Sequence, residues 1–582
     1  MISHYHVARA ELTAPGAPFA VTEIVVRDVP IKVFAAAPPN MRVLWEMAAA
    51  FAARDYLVYE DERYTYAEIA AQVRSLAHVL RHTHGVGSGD RVALAMRNYP
   101  EWVVGYWATI VVGAAVVGMN AWWTPVEMEY GLTDSRPKVL IADDERLARV
   151  EPILDTVRAA GPLPIIAVRT TRDLPADSSH WADVVNGSDA PATLPDASID
   201  PDDDACIFYT SGTTGFPKGA QLTHRGSVHN ILNLACMATA TALADTKAIA
   251  AGDLPAPASE PAQPPAQTPV QGVFMAPTPL FHVTACNCIL HPATLTGGRV
   301  VLTYKWDPGR ALELIERERV TNFSGVPTMS RELLAHPDWA TRDTSSLLGM
   351  GGGGAALQPD LVGKIAGALK HGAPATGYGL TETHGIVTAN SARSFIAKPD
   401  SAGPVVPTLD AKLVDDDGND LAAGPDVIGQ LCVRGAVVIK GYLNRPEATA
   451  DAIRDGWFNT GDIARIDDDG FVYIVDRAKD MVLRGGENVY CSEVETAIYQ
   501  HDAVAETAVF GVPDERLGEA VGVAIVLHDG AELTADELRA FLAERMAKYK
   551  IPAHIWFLDE QLPRNANGKF VKRELRAQLL GS

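Results

Sequence analysis

Residues 206–219 read CIFYTSGTTGFPKG. An apolar, β-favouring run at 206–210 leads into Ser211, Gly212, Thr213, Thr214 and Gly215, and then into Phe216, Pro217, Lys218 and Gly219. A buried strand ending in such a loop presents backbone N–H groups and hydroxyls at its tip. Glycine lets the backbone approach an anion closely, and Lys218 adds a mobile positive charge. That is the chemistry of a phosphate cradle, with Thr210 at its entry. It is not the familiar P-loop, which needs Gly immediately before its lysine and Ser or Thr immediately after. Here Pro217 precedes Lys218 and Gly219 follows it.

Working outward, RVALAMRN (91–98), KVLIAD (138–143), PIIAV (164–168) and RVVLTYKW (299–306) read as further buried strands alternating with helical patterns. Asp307 is placed to cap a helix with Pro308 at its first position. This alternation predicts an α/β fold with parallel-rich sheets flanked by helices. Beyond Asp410 the texture changes to short strands and turns, with DDDG twice as turn chemistry. A compact α+β segment follows DRAKD (476–480), and Thr534 is the expected cap of one of its helices. The expected organisation is a large N-terminal domain over 1–475, with a β-rich subdomain at about 408–475, a hinge at 476–480, and a small C-terminal domain over 481–582. From about 241 to 270 a Pro/Ala-rich stretch reads as a disordered or extended insertion.

The chain has 582 residues, 47% of them hydrophobic, and a formal net charge of −22. That charge argues against nucleic acid or an anionic membrane surface as the main partner. The uncharged run from Trp102 to Met119 nears the length of a membrane span, but Gly105, Gly113 and Gly118 interrupt it and no basic cluster flanks it. It reads as a buried helix running into a buried strand, so no integral membrane span is expected. The six cysteines show no zinc spacing and read as reduced thiols of a cytoplasmic protein. No signal peptide is expected from the N-terminal residues. A homodimer is left open.

Three further stretches carry candidate chemistry. GYGLTET (377–383) offers Tyr378 as a flat face for a purine, Thr381 as a hydroxyl, and Glu382 as a carboxylate able to supply one ligand to Mg²⁺. GWFNTGD (456–462) ends on Asp462, which could accept both hydroxyls of a ribose; taken alone it is a turn aspartate. DRAKDMVLRGGENVY (476–490) holds Arg477, Lys479, Gly485 and Gly486. PRNANGKFVKREL holds Lys569, which taken alone is a solvated turn residue.

These motifs, in this order from about residue 40 onward, resemble the adenylate-forming superfamily: acyl-CoA synthetases, peptide-synthetase adenylation domains and beetle luciferases. The nearest branch is the fatty-acid–CoA ligases. The resemblance implies ATP and coenzyme A as co-substrates, Mg²⁺ as the metal, and an acid–thiol ligase that passes through acyl-AMP. It implies that 210–218 holds the β- and γ-phosphates and that Gly353, Gly354 and Ala355 border the adenosine. It implies that Tyr378 stacks on adenine, that Thr381 and Glu382 meet the α-phosphate and Mg²⁺, and that Asp462 and Arg477 hold the ribose. Lys569 is then the adenylation lysine and Lys479 the hinge about which a mobile C-terminal domain turns. That turn brings Gly485 and Gly486 to the thiol step.

His282, in TPLFHVTACNCIL (278–290), occupies a position that often gates the acyl pocket in CoA ligases. Amino-acid-activating domains generally place an aspartate near here, and Phe281-His282-Val283 offers none. No carrier domain follows Lys569, which favours a free thiol such as CoA over a carrier protein. Candidate pocket walls are Val283, Thr284, Val326, Gly353, Gly377 and His384-Gly385-Ile386, small or apolar with no basic anchor apart from the histidines. They suggest a monocarboxylic acid, with a medium- or long-chain fatty acid first and an aryl acid second.

Overall fold

A computed structural model describes residues 2–185, 190–210, 217–255, 271–422, 424–478, 480–484, 487–565 and 568–581. Among these residues, strands Lys218–Thr223, Asp204–Thr210, Ala115–Gly118, Arg91–Ala95, Val139–Asp143, Ile165–Val168 and Ser178–His180 form one sheet in that order. Its pairings are parallel except for the edge hairpin, in which Asp204–Thr210 runs antiparallel to Lys218–Thr223. A second sheet takes the order Thr388–Ser391, Ala373–Tyr378, Gly349–Gly353, Asn322–Gly325, Val273–Ala276, Arg299–Leu302, Asp55–Tyr59 and Glu62–Thr65. It is parallel apart from the hairpins at its two edges.

The uncharged 102–119 run is helix Pro100–Val111 followed by strand Ala115–Gly118, turning through Gly113 at φ +82°. The helix is apolar all round because it lies in a core that includes Tyr56 and Val300 of the second sheet and Val92 and Val116 of the first. Trp107 stacks on Trp45 at 4.9 Å and is fully buried. Among the described residues, no helix is long and apolar enough to cross a membrane. Asp307 does cap helix Pro308–Glu318, its carboxylate accepting from the N–H of Arg310 at 2.7 Å.

An antiparallel sheet follows, in the order Gly403–Pro404, Phe471–Arg477, Trp457–Ile466, Ile428–Gly435 and Leu409–Val414. The small C-terminal lobe has its own sheet, built on the long pair Val504–Asp514 and Gly518–Leu527, with helices Cys491–Ile498, Ala535–Ala543 and Lys572–Leu580. Its interior, centred on Val482, Val494, Val509, Val523 and Leu538, is separate from that of the large lobe. Thr534 caps Ala535–Ala543 in a full capping box with Glu537.

One expectation is corrected. Residues 241–250, read as the start of an irregular insertion, continue helix His224–Ala250. Ala240, Ala244 and Ala248 are buried, and Met237 accepts a hydrogen bond from Tyr5 of the N-terminal helix Ile2–Thr13. TALADTKAIA is rich in alanine, the best helix former, and its buried alanines repeat every four residues. Residues 256–270 lie outside those described.

Candidate functional site

The phosphate-loop strands meet at their ends, where Thr210 pairs with Lys218. Ser211, Gly212, Thr213, Thr214 and Gly215 lie outside the described residues. The loop's exit is held by Tyr130, whose hydroxyl donates to the carbonyl of Pro217 at 2.8 Å. The Lys218 ammonium lies 4.9 Å from the ring centre of Tyr442, a cation–π arrangement. The same tyrosine donates its O–H to Glu382 Oε1 at 2.9 Å. Tyr442 therefore brings the loop lysine and the candidate metal carboxylate to one place. Thr381 stands beside them in the short turn Thr381–Thr383.

A second cluster forms at the end of strand Ala373–Tyr378. The Tyr378 hydroxyl donates to Asp462 Oδ2 at 2.6 Å, and Arg477 Nε meets Asp462 Oδ1 at 3.0 Å. Asp462 and Arg477 face each other across neighbouring antiparallel strands, so strand register places this pair. Burial, with the Asp462 charge beside it, holds the Tyr378 phenol well above its ordinary range. Gly377 pairs with Gly353 in the adjacent parallel strand, which continues into Gly354 and the exposed Ala355.

Lys569 arrives here from the small lobe. It rides a tight turn in which Asn565 N–H donates to the Lys569 carbonyl at 2.9 Å, while Gly568 N–H donates to the Asn565 carbonyl at 2.9 Å. Gly354 has φ +84°, and a β-carbon there would lie 3.2 Å from Cε of Lys569. One on Gly568 would lie 3.0 Å from Cγ2 of Val326. Burial and, second, the Lys569 charge push the His282 imidazole down to about 3. His282 is thus neutral across the physiological range. Acid-dependent pyrophosphate release should show no ionisation near pH 6.5 from this residue. The pH–rate profile of His282→Gln should keep the wild-type shape.

Of the expected acyl-pocket walls, Val283, Gly385, Ile386 and Gly377 come together. A β-carbon on Gly385 would lie 3.5 Å from Cβ of Val283 and 2.8 Å from Sγ of Cys288, and one on Gly377 would lie 3.8 Å from Cδ1 of Ile386. Thr284 follows Val283 in the one-turn helix Val283–Ala285, and Val326 stands by the Lys569 turn. His384 is a correction. It adopts a left-handed backbone with φ 55°, and its fully buried ring lies against two main-chain carbonyls, that of Val437 2.7 Å from Nδ1 and that of Thr223 3.3 Å from Nε2, to one of which a neutral imidazole donates. Burial lowers its pKa to about 4, so it is a neutral structural group. A β-carbon on Gly226 would fall 2.2 Å from this ring. Gly226→Ala should therefore cost about 1–3 kcal/mol by overpacking, read as a lower Tm.

Several contributors are invisible in the motifs. Tyr442 is one. Asn230 and Asn287, both fully buried, brace the turn at His384: Asn230 Nδ2 donates to the Asn287 carbonyl at 3.1 Å, and Asn287 Nδ2 donates to the His384 carbonyl at 3.0 Å. Among the described residues, the side-chain oxygens of both asparagines are buried without a hydrogen-bond partner. They belong to helices whose apolar pattern hides them. A cavity of about 490 Å³ opens between the lobes, with Arg97, Trp122, Phe281 and Val326 on one side and Arg564 and Gly568 on the other. Lys479, Gly485 and Gly486 lie outside the described residues. Among the described residues no group of three or more His, Cys, Asp or Glu side chains could hold a metal by itself. A single carboxylate linked through Tyr442 to Lys218 nevertheless suits Mg²⁺, which commonly takes one or two carboxylates and completes its shell with substrate phosphates and water.

Comparison with known proteins agrees with this geometry. The family model described as AMP-binding enzyme matches residues 44–443, and that of the AMP-binding enzyme C-terminal domain matches 493–569. A feruloyl-CoA synthase from Amycolatopsis sp is 37% identical over 88% of this chain and 93% of its own length. A long-chain-fatty-acid–CoA ligase from Bacillus subtilis is 34% identical over 92% of this chain and 93% of its own. The solved structure of the anthranilate CoA ligase AuaEII with anthranoyl-AMP superposes with a TM-score of 0.80 at 27% identity, covering 94% of this chain and 98% of that one. Fold, motif order and sequence thus converge, and the chain belongs to the AMP-binding enzyme family, as an AMP-forming acid–thiol ligase of the adenylate-forming superfamily.

Proposed function

We propose that this chain joins a monocarboxylic acid to coenzyme A in two steps, forming acyl-AMP and pyrophosphate from ATP and then the thioester with release of AMP. The observation that carries the reading is the convergence of Lys569 from the small lobe on Gly354. Gly354 follows the strand paired with the one that ends at Tyr378, Asp462 and Arg477.

The first step brings a carboxylate to the α-phosphorus of ATP, and both are anions. At about 4 Å, unit charges repel by about 4 kcal/mol at an effective dielectric near 20. The Lys569 ammonium is placed to bridge the two. No general base is needed, because the acid is already ionised at neutral pH. Asp462, with lone pairs beyond those taken by Tyr378 and Arg477, accepts the ribose hydroxyls. Lys218 meets the leaving phosphates. Glu382, oriented by Tyr442, with Thr381 beside it, would hold Mg²⁺, whose charge offsets that of pyrophosphate. In the second step the thiol reaches the adenylate past His282 and Phe281, and the cavity between the lobes is its approach.

A medium- or long-chain fatty acid is the first reading of the substrate, supported by the apolar wall of Val283 and Ile386 and by the fatty-acid ligase among the relatives. An aryl acid with a polar ring substituent is the second. It is favoured by the unpaired amide oxygens of Asn230 and Asn287 beside Cys288, and by the feruloyl-CoA synthase relative. ATP–pyrophosphate exchange with octanoate, palmitate, benzoate and ferulate, scored in parallel for thioester formation, tests both. Exchange with none of these acids, or adenylate without thioester when CoA is added, would overturn the proposal.

A further inference from the structure

The small lobe meets the large one along one face of helix Cys491–Ile498 and at the end of strand Phe471–Arg477. The Asp476 side chain, 7% exposed, accepts from the N–H of Arg477 at 2.7 Å and from the N–H of Cys491, the first residue of the helix. The residue before the helix, Tyr490, supplies no side-chain cap of its own. Asp476, the first residue of the expected hinge and near the end of strand Phe471–Arg477, thus provides that cap, where the helix dipole also favours a carboxylate. One residue further on, the Ser492 hydroxyl donates to the Val475 carbonyl. The contacts then climb the helix at spacings of four and three. Thr496 Oγ1 donates to Gln358 Oε1 at 2.8 Å, and the Arg331 guanidinium stands 4.9 Å from the Tyr499 ring centre. Spacings of this kind define a single stripe of a helix.

Ser492 and Thr496 meet the large lobe through hydroxyls and Tyr499 through its ring face, whereas Val494 and Ile498 are sealed into the small lobe's own core, on which Tyr499 also packs. Polar contacts of this kind can be exchanged for water at little net cost. The orientation they define is the one that sets Lys569 against Gly354.

We propose that Asp476 and the Ser492–Thr496–Tyr499 stripe form a releasable latch that holds the lobe orientation used for acyl-adenylate formation, making Asp476 a positioning residue for the first half-reaction. The proposal rests on the reading that the lobes reorient between the two steps.

The test uses the full chain, with the acid that supports the fastest exchange in the panel above. Loss of a helix-capping acceptor shifts an equilibrium by about three- to tenfold. Asp476→Ala should slow ATP–pyrophosphate exchange by about that factor and leave thioester formation from preformed acyl adenylate unchanged or faster. Asp476→Asn, whose single amide oxygen can still accept from the Cys491 N–H but not from the Arg477 N–H as well, should restore part of the lost exchange. A parallel loss of both half-reactions, or no loss of exchange, would overturn the latch. Spin labels at Leu348→Cys on the large lobe and Glu544→Cys on the small lobe separate the two possible failures. A single label distance in the otherwise native chain, with ATP or with CoA, removes reorientation itself. A distance that changes with ligand but is indifferent to Asp476→Ala removes the latch alone. The result expected is a ligand-dependent distance, with Asp476→Ala enriching the CoA-type distance in the absence of ligand.

Discussion

Lys569→Ala is expected to reduce acid-dependent pyrophosphate release by about a hundred- to a thousandfold while largely sparing thioester formation from preformed acyl adenylate. The magnitude follows from the charges. If the ammonium offsets most of a repulsion of about 4 kcal/mol, its loss is worth up to about three powers of ten, since each 1.36 kcal/mol is tenfold in rate. The selectivity follows from position. The Lys569 chain touches Gly354 only through a turn carried by the small lobe, and the thioester step has no phosphate–carboxylate repulsion to offset. Quenched-flow measurement of pyrophosphate, alongside thioester assay from synthetic acyl-AMP, decides it. Equal loss in both assays would remove Lys569 from the reacting bond. Lys569→Arg should recover only part of the rate, because a planar fork replaces a compact point charge.

Glu382→Gln should lower kcat/KM for ATP by about a hundredfold and raise the Mg²⁺ concentration needed for half-maximal rate. The substitution isolates charge from shape, since the amide oxygen of Gln can still accept the Tyr442 hydroxyl that donates to Glu382 at 2.9 Å. What disappears is the negative charge that a hard, oxygen-seeking cation requires. Tyr442→Phe is the companion. It removes only the orienting hydrogen bond and leaves a ring over which the Lys218 ammonium can still rest. Its loss should be a few-fold, with the Mg²⁺ requirement little changed. An unaltered Mg²⁺ titration in Glu382→Gln would dismiss this carboxylate as the metal's partner.

The parts of this site written as contiguous runs were legible before any coordinates. The strand that ends at Thr210, a capped helix after Asp307 and the uncharged 102–119 run all depend on local pattern, and the fold keeps them, while the loop at 211–216 lies outside the described residues. Family resemblance implied a shared ribose role for Asp462 and Arg477, whereas their contact with each other comes from strand register, which a single sequence does not display. Tyr442 was out of reach, because its meeting with Lys218 and Glu382 depends on how the antiparallel sheet docks on the edge hairpin. His384 was misread for a different reason. Its neighbours Gly385 and Ile386 do face Val283 and Gly377, but a left-handed backbone at His384 itself sends the ring to the carbonyls of Val437 and Thr223. A list of residues cannot reveal a sign change in one dihedral angle. The helical stretch at 241–250 was lost to the prolines that follow it, although its alanines alone argued for helix.

The small lobe's separate interior has a mechanical consequence. Because Val494, Val509 and Leu538 seal against one another, the reorientation proposed above would turn the lobe as a stiff paddle with this core kept closed. The friction of such a swing resides in a handful of polar handholds, so its speed should be tunable by surface-level edits that leave the melting of either lobe almost untouched.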